Sequence, residues 1–218
     1  MDVNERRRIL MSQSQGASEV LPPEYERYSY IESTGTQWID TEIEPDYNTK
    51  IRCQFTCFDN NGSTYASPFG EAQNDGSIQV VKQINSNTVY AIFGRNTTDT
   101  YNLVTETYWY DDLVDLEISK DGVVQNGVQV VSAFSNNVFD TSNPRSIYLF
   151  ATRASNSDYA QRIVKTILYE YWAYQNGVLV QHLVPVYKRG SGGGPGLYDL
   201  TRQKFLTNRG SGDFVLPE

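Results

Sequence analysis

Asp115 and Glu117 are the residues whose type and spacing come nearest to chemistry. They close the stretch DDLVDLE. Read as a strand, with side chains alternating between faces, Val114, Leu116 and Ile118 point one way and Leu113, Asp115, Glu117 and Ser119 the other. Two carboxylates at i and i+2 stand about 6.5–7 Å apart along a strand. That is near the separations at which glycosidases hold their paired acids. The plainer reading of the same residues is a solvated polar face of an edge or concave strand.

A second group has the makings of a sugar site. Tyr101, Trp109 and Tyr110 precede the acidic stretch, and Asn156, Asp158 and Tyr159 follow later in RASNSDY. Rings that stack on the CH face of a sugar, with amide and carboxylate groups that bond its hydroxyls, are what such a ligand needs. The chain is rich in rings, with 16 Tyr, 9 Phe and 3 Trp. The alternative is that these are strand and core residues, for which aromatic side chains are well suited.

Other chemistries find too few residues. His182 is the single histidine, so a Ser/His/Asp or Cys/His nucleophile has no second candidate, and with two cysteines there is no His/Cys zinc cage. Cys53 and Cys57 lie four apart on an alternating strand, about 13 Å from each other, too far for a disulfide. Calcium is the one cation for which oxygen donors are present, in the runs DNNGS (59–63), NDGS (74–77) and SNSD (155–158), none a full calcium loop. The Gly-rich segment YKRGSGGGPGLYDL (187–200) lacks the Gly-Lys-Ser/Thr ending of a phosphate loop. No cofactor is expected. A net charge of −8 disfavours nucleic acid and anionic membranes as partners. No stretch approaches the ~20 apolar residues of a membrane span. The N-terminus has only Ile9, Leu10 and Met11 as an apolar run, short of the roughly 7–15 residues of a secretory signal, so a start in the cytoplasm is expected.

Strands have to position these residues. The segment TKIRCQFTCF (49–58) alternates, with Ile51, Cys53, Phe55 and Cys57 on one face. Further β-like runs span 77–84, 88–95, 112–134, 145–152, 161–174 and 177–188. The pairs Asp121-Gly122, Asn126-Gly127 and Asn176-Gly177 favour tight hairpin turns, the first two of the primed type. The stretch QRIVKTILYEYWAY is long enough for a helix, but its β-branched and aromatic residues favour one long strand. Pro185 suggests a strand edge or end. More than ten short strands with turns at this spacing predict an all-β, two-sheet antiparallel sandwich or barrel over residues 22–218. Residues 1–21 read as an arm and linker. A short helix is expected at 3–13, basic at Arg6, Arg7 and Arg8 and apolar at Ile9, Leu10 and Met11.

Two motifs carry a family resemblance. The opening YIESTGTQWIDTEIEPDYNTKI and the closing GLYDLTRQKFLTNRGSGDF resemble the terminal runs of concanavalin A-like, LamG-type jelly-roll domains, in particular those of bacteriophage structural proteins and bacterial surface proteins. The resemblance spans Tyr28 to Phe214. It implies a jelly-roll sandwich whose first and last strands are stitched together. It also implies sugar sites on a concave sheet or at rim loops. In relatives that cleave β-glucans an acid-x-Asp-x-acid strand is catalytic, and Asp112, Asp115 and Glu117 depart from that spacing. The expectation is a virion protein (a capsid decoration, head fibre or tail-associated component) displaying a lectin-like domain toward surface glycans. Arg6 to Met11 would dock on other virion proteins, and a homo-oligomer is compatible with this. The alternatives are a glycan-cleaving enzyme using Asp115 and Glu117, or a decoration protein without a ligand.

Overall fold

The computed structural model describes residues 20–57, 65–72, 77–83, 88–94, 101–104, 112–134, 139, 144–154 and 158–217. Their strands run, in chain order, β1 Tyr25–Arg27, β2 Ile31–Thr34, β3 Ile39–Asp40, β4 Thr49–Cys57, β5 Tyr65–Glu71, β6 Ser77–Gln83, β7 Thr88–Gly94, β8 Tyr101–Val104 and β9 Val114–Ser119. They continue as β10 Gly122–Gln125, β11 Val128–Val131, β12 Tyr148–Leu149, β13 Thr152–Arg153, β14 Ala160–Gln161, β15 Lys165–Gln175, β16 Val178–Lys188, β17 Gly194–Asp199 and β18 Lys204–Leu206. The fold is all-β. A ten-stranded sheet, in the order β11-β10-β9-β4-β15-β16-β17-β18 with β1 beside β16 and β2 beside β15, packs on an eight-stranded sheet built on β14-β13-β5-β6-β7-β8. The result is a jelly-roll-like sandwich, antiparallel except for one parallel bridge between Arg153 and Glu71.

Alternation along the strands decides what lies between the sheets. Ile51, Cys53, Phe55 and Cys57 of β4 are buried, as are Val114, Leu116 and Ile118 of β9, and all join one core cluster. Each large side chain so buried contributes roughly 1.5–3 kcal/mol. The two cysteines are free thiols. Burial pushes the Cys53 thiol well up.

The opening and closing motifs are sewn to each other. Glu32 and Val215 form a bridge, Trp38 N–H donates to Asn208 Oδ1 at 3.2 Å, and Arg209 N–H donates to the Trp38 carbonyl at 2.8 Å. Gln37 Nε2 donates to the Asp213 carbonyl at 3.0 Å. Gly35, at φ 101°, makes the turn between the two halves of the opening motif. Ile39 enters the core while Trp38 stacks on Tyr148 with ring centres 4.3 Å apart.

Several local expectations are corrected. The stretch 161–174 is not one strand. Arg162, at φ 53°, breaks it, so that β14 belongs to the smaller sheet and β15 to the larger. Phe150, at φ 64°, splits 145–152 into β12 and β13, both in the smaller sheet. Pro185 is at neither an edge nor an end. β15 pairs with β16 up to Leu183 and β1 takes over at Val186, and the Pro185 carbonyl accepts from Tyr28 N–H in the fork between them. N–H and C=O of a strand residue point to the same side, so the donor that proline lacks would have faced this fork. At the β9–β10 turn Gly122 alone has positive φ, at 114°, and it pairs with Ser119 around Lys120 and Asp121. That is not the primed geometry expected of Asp-Gly, which needs positive φ at a central residue. Asn126-Gly127 and Asn176-Gly177 do adopt it, at φ 51° and 79° and φ 52° and 77°.

Candidate functional site

The outward face of the ten-stranded sheet carries the acidic pair. Asp115 and Glu117 alternate with the buried Val114, Leu116 and Ile118 and so stand on the face away from the core. Strand register lays other functional side chains beside them. Arg52 of β4 lies between Glu117 and Trp172, Gln54 between Asp115 and Glu170, and Lys50 beside Tyr174. His182 of β16 is opposite Trp172.

These residues form a continuous ladder. Arg52 donates to both oxygens of Asp115, from Nε at 2.9 Å and Nη2 at 2.6 Å, and Gln54 Nε2 adds a third bond at 3.2 Å. The Asp115 hydrogen bond pushes the guanidinium's pKa up, against the opposing effect of burial. The same guanidinium lies 4.9 Å from the centre of the Trp172 ring, on which the His182 imidazole stacks at 5.1 Å. His182 Nε2 is 3.0 Å from Glu170 Oε2, and the other Glu170 oxygen accepts from Arg27 Nη2 at 2.8 Å. Glu117 pairs with Lys50 Nζ at 3.3 Å, and Lys50 sits 4.7 Å over the Tyr174 ring. Both oxygens of Asp115 are thus engaged, and Trp172 is covered by Arg52 and His182. Free hydrogen-bonding capacity on this face is found farther along, where Glu117 and Tyr174 stand.

There the face opens into a cleft of about 660 Å³. Asn48 with the start of β4 (Thr49, Lys50), the end of β9 and its turn into β10 (Glu117, Ser119, Lys120, Asp121, Gly122), Val124 and Gln129, and the end of β15 with its turn (Tyr174, Asn176, Gly177) line it. The volume falls within the roughly 300–1,000 Å³ of small-ligand sites. Two asparagines, a glutamine, a serine and carboxylates around a tyrosine ring offer donors and acceptors in the mixture that polyhydroxyl ligands require.

No family model matches the chain, and no curated protein matches it. The site therefore stands on its own residues.

Of the candidate residues that are described, Asp115 and Glu117 share the ladder, and Glu117 lines the cleft. Asp158 and Tyr159 belong to the other sheet, on the β13–β14 connection, both exposed. Asp158 is bonded to Arg153, which draws its carboxyl below the usual range, and the Tyr148 hydroxyl donates to the Asp158 carbonyl at 3.1 Å. The backbone of Tyr101 lies in β8. Its side chain, together with Trp109, Tyr110, Asn156 and the arm residues Arg6, Arg7, Arg8, Ile9, Leu10 and Met11, lies outside the described residues. So do most of the calcium-like runs, and among the described residues no three His, Cys, Asp or Glu side chains converge on a metal position. Sequence reasoning missed Lys50, Arg52, Trp172, Tyr174, Asn48 and Asn176. The alternation of TKIRC and EYWAY places Lys50, Arg52, Trp172 and Tyr174 outward and Asn48 and Asn176 sit in the flanking turns, but their meeting depends on register between distant strands.

A second unusual carboxyl lies apart from this face. Glu71 ends β5 almost wholly buried, at 1% exposure, with Oε1 unpartnered. Burial pushes its pKa up to about 8, while Arg145 and Arg153 pull the other way.

Proposed function

We propose that this chain is a carbohydrate-recognition module of a bacteriophage particle, with the sandwich of residues 22–218 presented outward and the arm of residues 1–21 docked on other virion proteins through Arg6–Arg8 and Ile9–Met11. One observation carries the sugar-binding half of the reading. The 660 Å³ cleft combines the Tyr174 ring with Asn48, Asn176, Gln129, Ser119 and Glu117. Such a site recognises hydroxyls by hydrogen bonds and a pyranose face by contact with a ring. The virion half rests on the resemblance of the opening and closing motifs to phage structural domains.

A glycan array probed with the intact chain and with Tyr174→Ala tests the first half. Binding that the substitution weakens about tenfold or more is expected, and an array with no bound glycan would remove the reading. Mass spectrometry of purified particles tests the second, with the chain expected among the virion proteins and its absence ending the idea. Glu117 lines the same cleft, so the cleaving alternative is checked there too. Release of reducing ends from β-glucans, mucin or capsular polysaccharide, lost in Asp115→Asn and Glu117→Gln, would replace binding by hydrolysis. The engagement of Asp115 with Arg52 and Gln54 favours binding.

A further inference from the structure

We propose that the Lys50–Glu117 ion pair is the charge filter of the cleft, and that the ligand it admits is an uncharged, hydroxyl-rich glycan. The inference rests on the carbohydrate reading of this cleft and specifies the class of sugar.

Among the described residues every charge in the lining is already balanced by a neighbour. Lys50 pairs with Glu117 at 3.3 Å and covers the Tyr174 ring at 4.7 Å. Lys120 repeats the arrangement at the rim, 3.7 Å from Asp121 and 5.4 Å from the centre of the Tyr47 ring. Among the described residues the lining thus holds two cations and two carboxylates, and its other polar side chains, among them Asn48, Ser119, Gln129 and Asn176, are uncharged. An acidic sugar would meet Glu117 and Asp121 on a chain of net charge −8. A free amino sugar would meet Lys50 and Lys120. Either would have to part an existing pair to find its own counter-charge, and like charges brought together in a site are strongly penalised. An uncharged glycan disturbs neither pair and uses the amide and hydroxyl groups. Lys50 and Glu117 sit at the centre of this balance because register sets Lys50 against Tyr174 and Glu117 against Arg52, so their bond crosses the strands diagonally. Arg52 is hydrogen-bonded to Asp115 and adds only a longer-range attraction, which leaves Lys50 as the cation in direct ion-pair contact with Glu117.

The test uses the intact chain on an array holding uncharged glycans, sialylated and uronic-acid glycans, and free-amino glycans, beside Glu117→Gln and Lys50→Met. Wild type is expected to bind members of the uncharged class, with affinity unchanged within about twofold as salt is raised from low to high, because no net charge is exchanged. Glu117→Gln leaves Lys50 without its partner and is expected to gain acidic glycans by about fivefold or more. Lys50→Met leaves Glu117 unbalanced and is expected to gain free-amino glycans by a similar factor. Circular dichroism confirms that both variants keep the sandwich. Wild type preferring charged glycans, or both variants keeping the wild-type order, overturns the filter while leaving sugar binding intact. No binding to any member of the array overturns the carbohydrate reading and the filter with it.

Discussion

Arg52 grips both carboxylate oxygens of Asp115 while its guanidinium lies 4.9 Å from the centre of the Trp172 ring. One side chain thereby ties β9, β4 and β15 together on the outward face. Arg52→Ala removes the two charge-assisted bonds and uncovers the indole. A loss of about 1–2 kcal/mol is expected in urea unfolding, discounted for the partial exposure of the pair. Arg52→Lys should recover little of it, since an ammonium cannot reproduce the planar two-point grip.

Gly210 is required by the seam between the two ends of the chain. A Cβ at this position would stand 2.0 Å from the Thr36 carbonyl oxygen, a backbone atom that cannot swing aside. Gly210→Ala is expected to cost about 1–3 kcal/mol and to lower the thermal midpoint by several degrees. At Gly127 a Cβ meets nothing within 4 Å, and only its φ of 79° opposes a side chain. Gly127→Ala should therefore cost less, about 1 kcal/mol. Equal losses by differential scanning calorimetry would count against the close approach at Thr36.

Glu71 makes stability fall as pH rises. Its carboxyl is raised from the ordinary 4.5 to about 8, so the folded chain holds this proton more tightly than the unfolded chain does. The contribution is fully present below about pH 4.5, declines between there and about pH 8, and has been lost above it. The slope within that window is at most about 1.4 kcal/mol per pH unit. Glu71→Gln should flatten this part of the profile, leaving the variant more stable than wild type at pH 8 or above. Thermal midpoints across the window check this, and parallel profiles for the two proteins would contradict it.

Tyr174 is expected to contribute more to ligand capture than Trp172. The Trp172 ring lies between Arg52 and His182, whereas Tyr174 has Lys50 over one face and lines the cleft. Tyr174→Ala should weaken glycan binding about tenfold or more, the effect of losing a well-placed aromatic contact. Asp158→Ala and Tyr159→Ala, on the other sheet, should leave it within about twofold. Isothermal titration with a glycan selected from the array separates these outcomes.

Local sequence determined more of this protein than its site. The two-residue period of β4 and β9 is visible in any window of the chain, and it sorted Cys53 and Phe55 inward and Asp115 and Glu117 outward. Asn126-Gly127 and Asn176-Gly177 announced their turns because tolerance of positive φ belongs to the residues themselves. Chain breaks at Phe150 and Arg162 were not legible, since neither residue favours positive φ: Arg162 stands where the chain passes from the smaller sheet to the larger, and Phe150 between two strands of the smaller sheet that both pair with β5. The same holds for Pro185, whose lack of an N–H matters only where β15 gives way to β1. The site lay further still from view. Arg52 and Asp115 are 63 residues apart, and Lys50 meets Tyr174 only because β4 pairs with β15 in one register. A slip of one residue would send every one of these side chains to the opposite face, so the grouping of charges and rings was decided by strand pairing, which no single stretch of sequence contains.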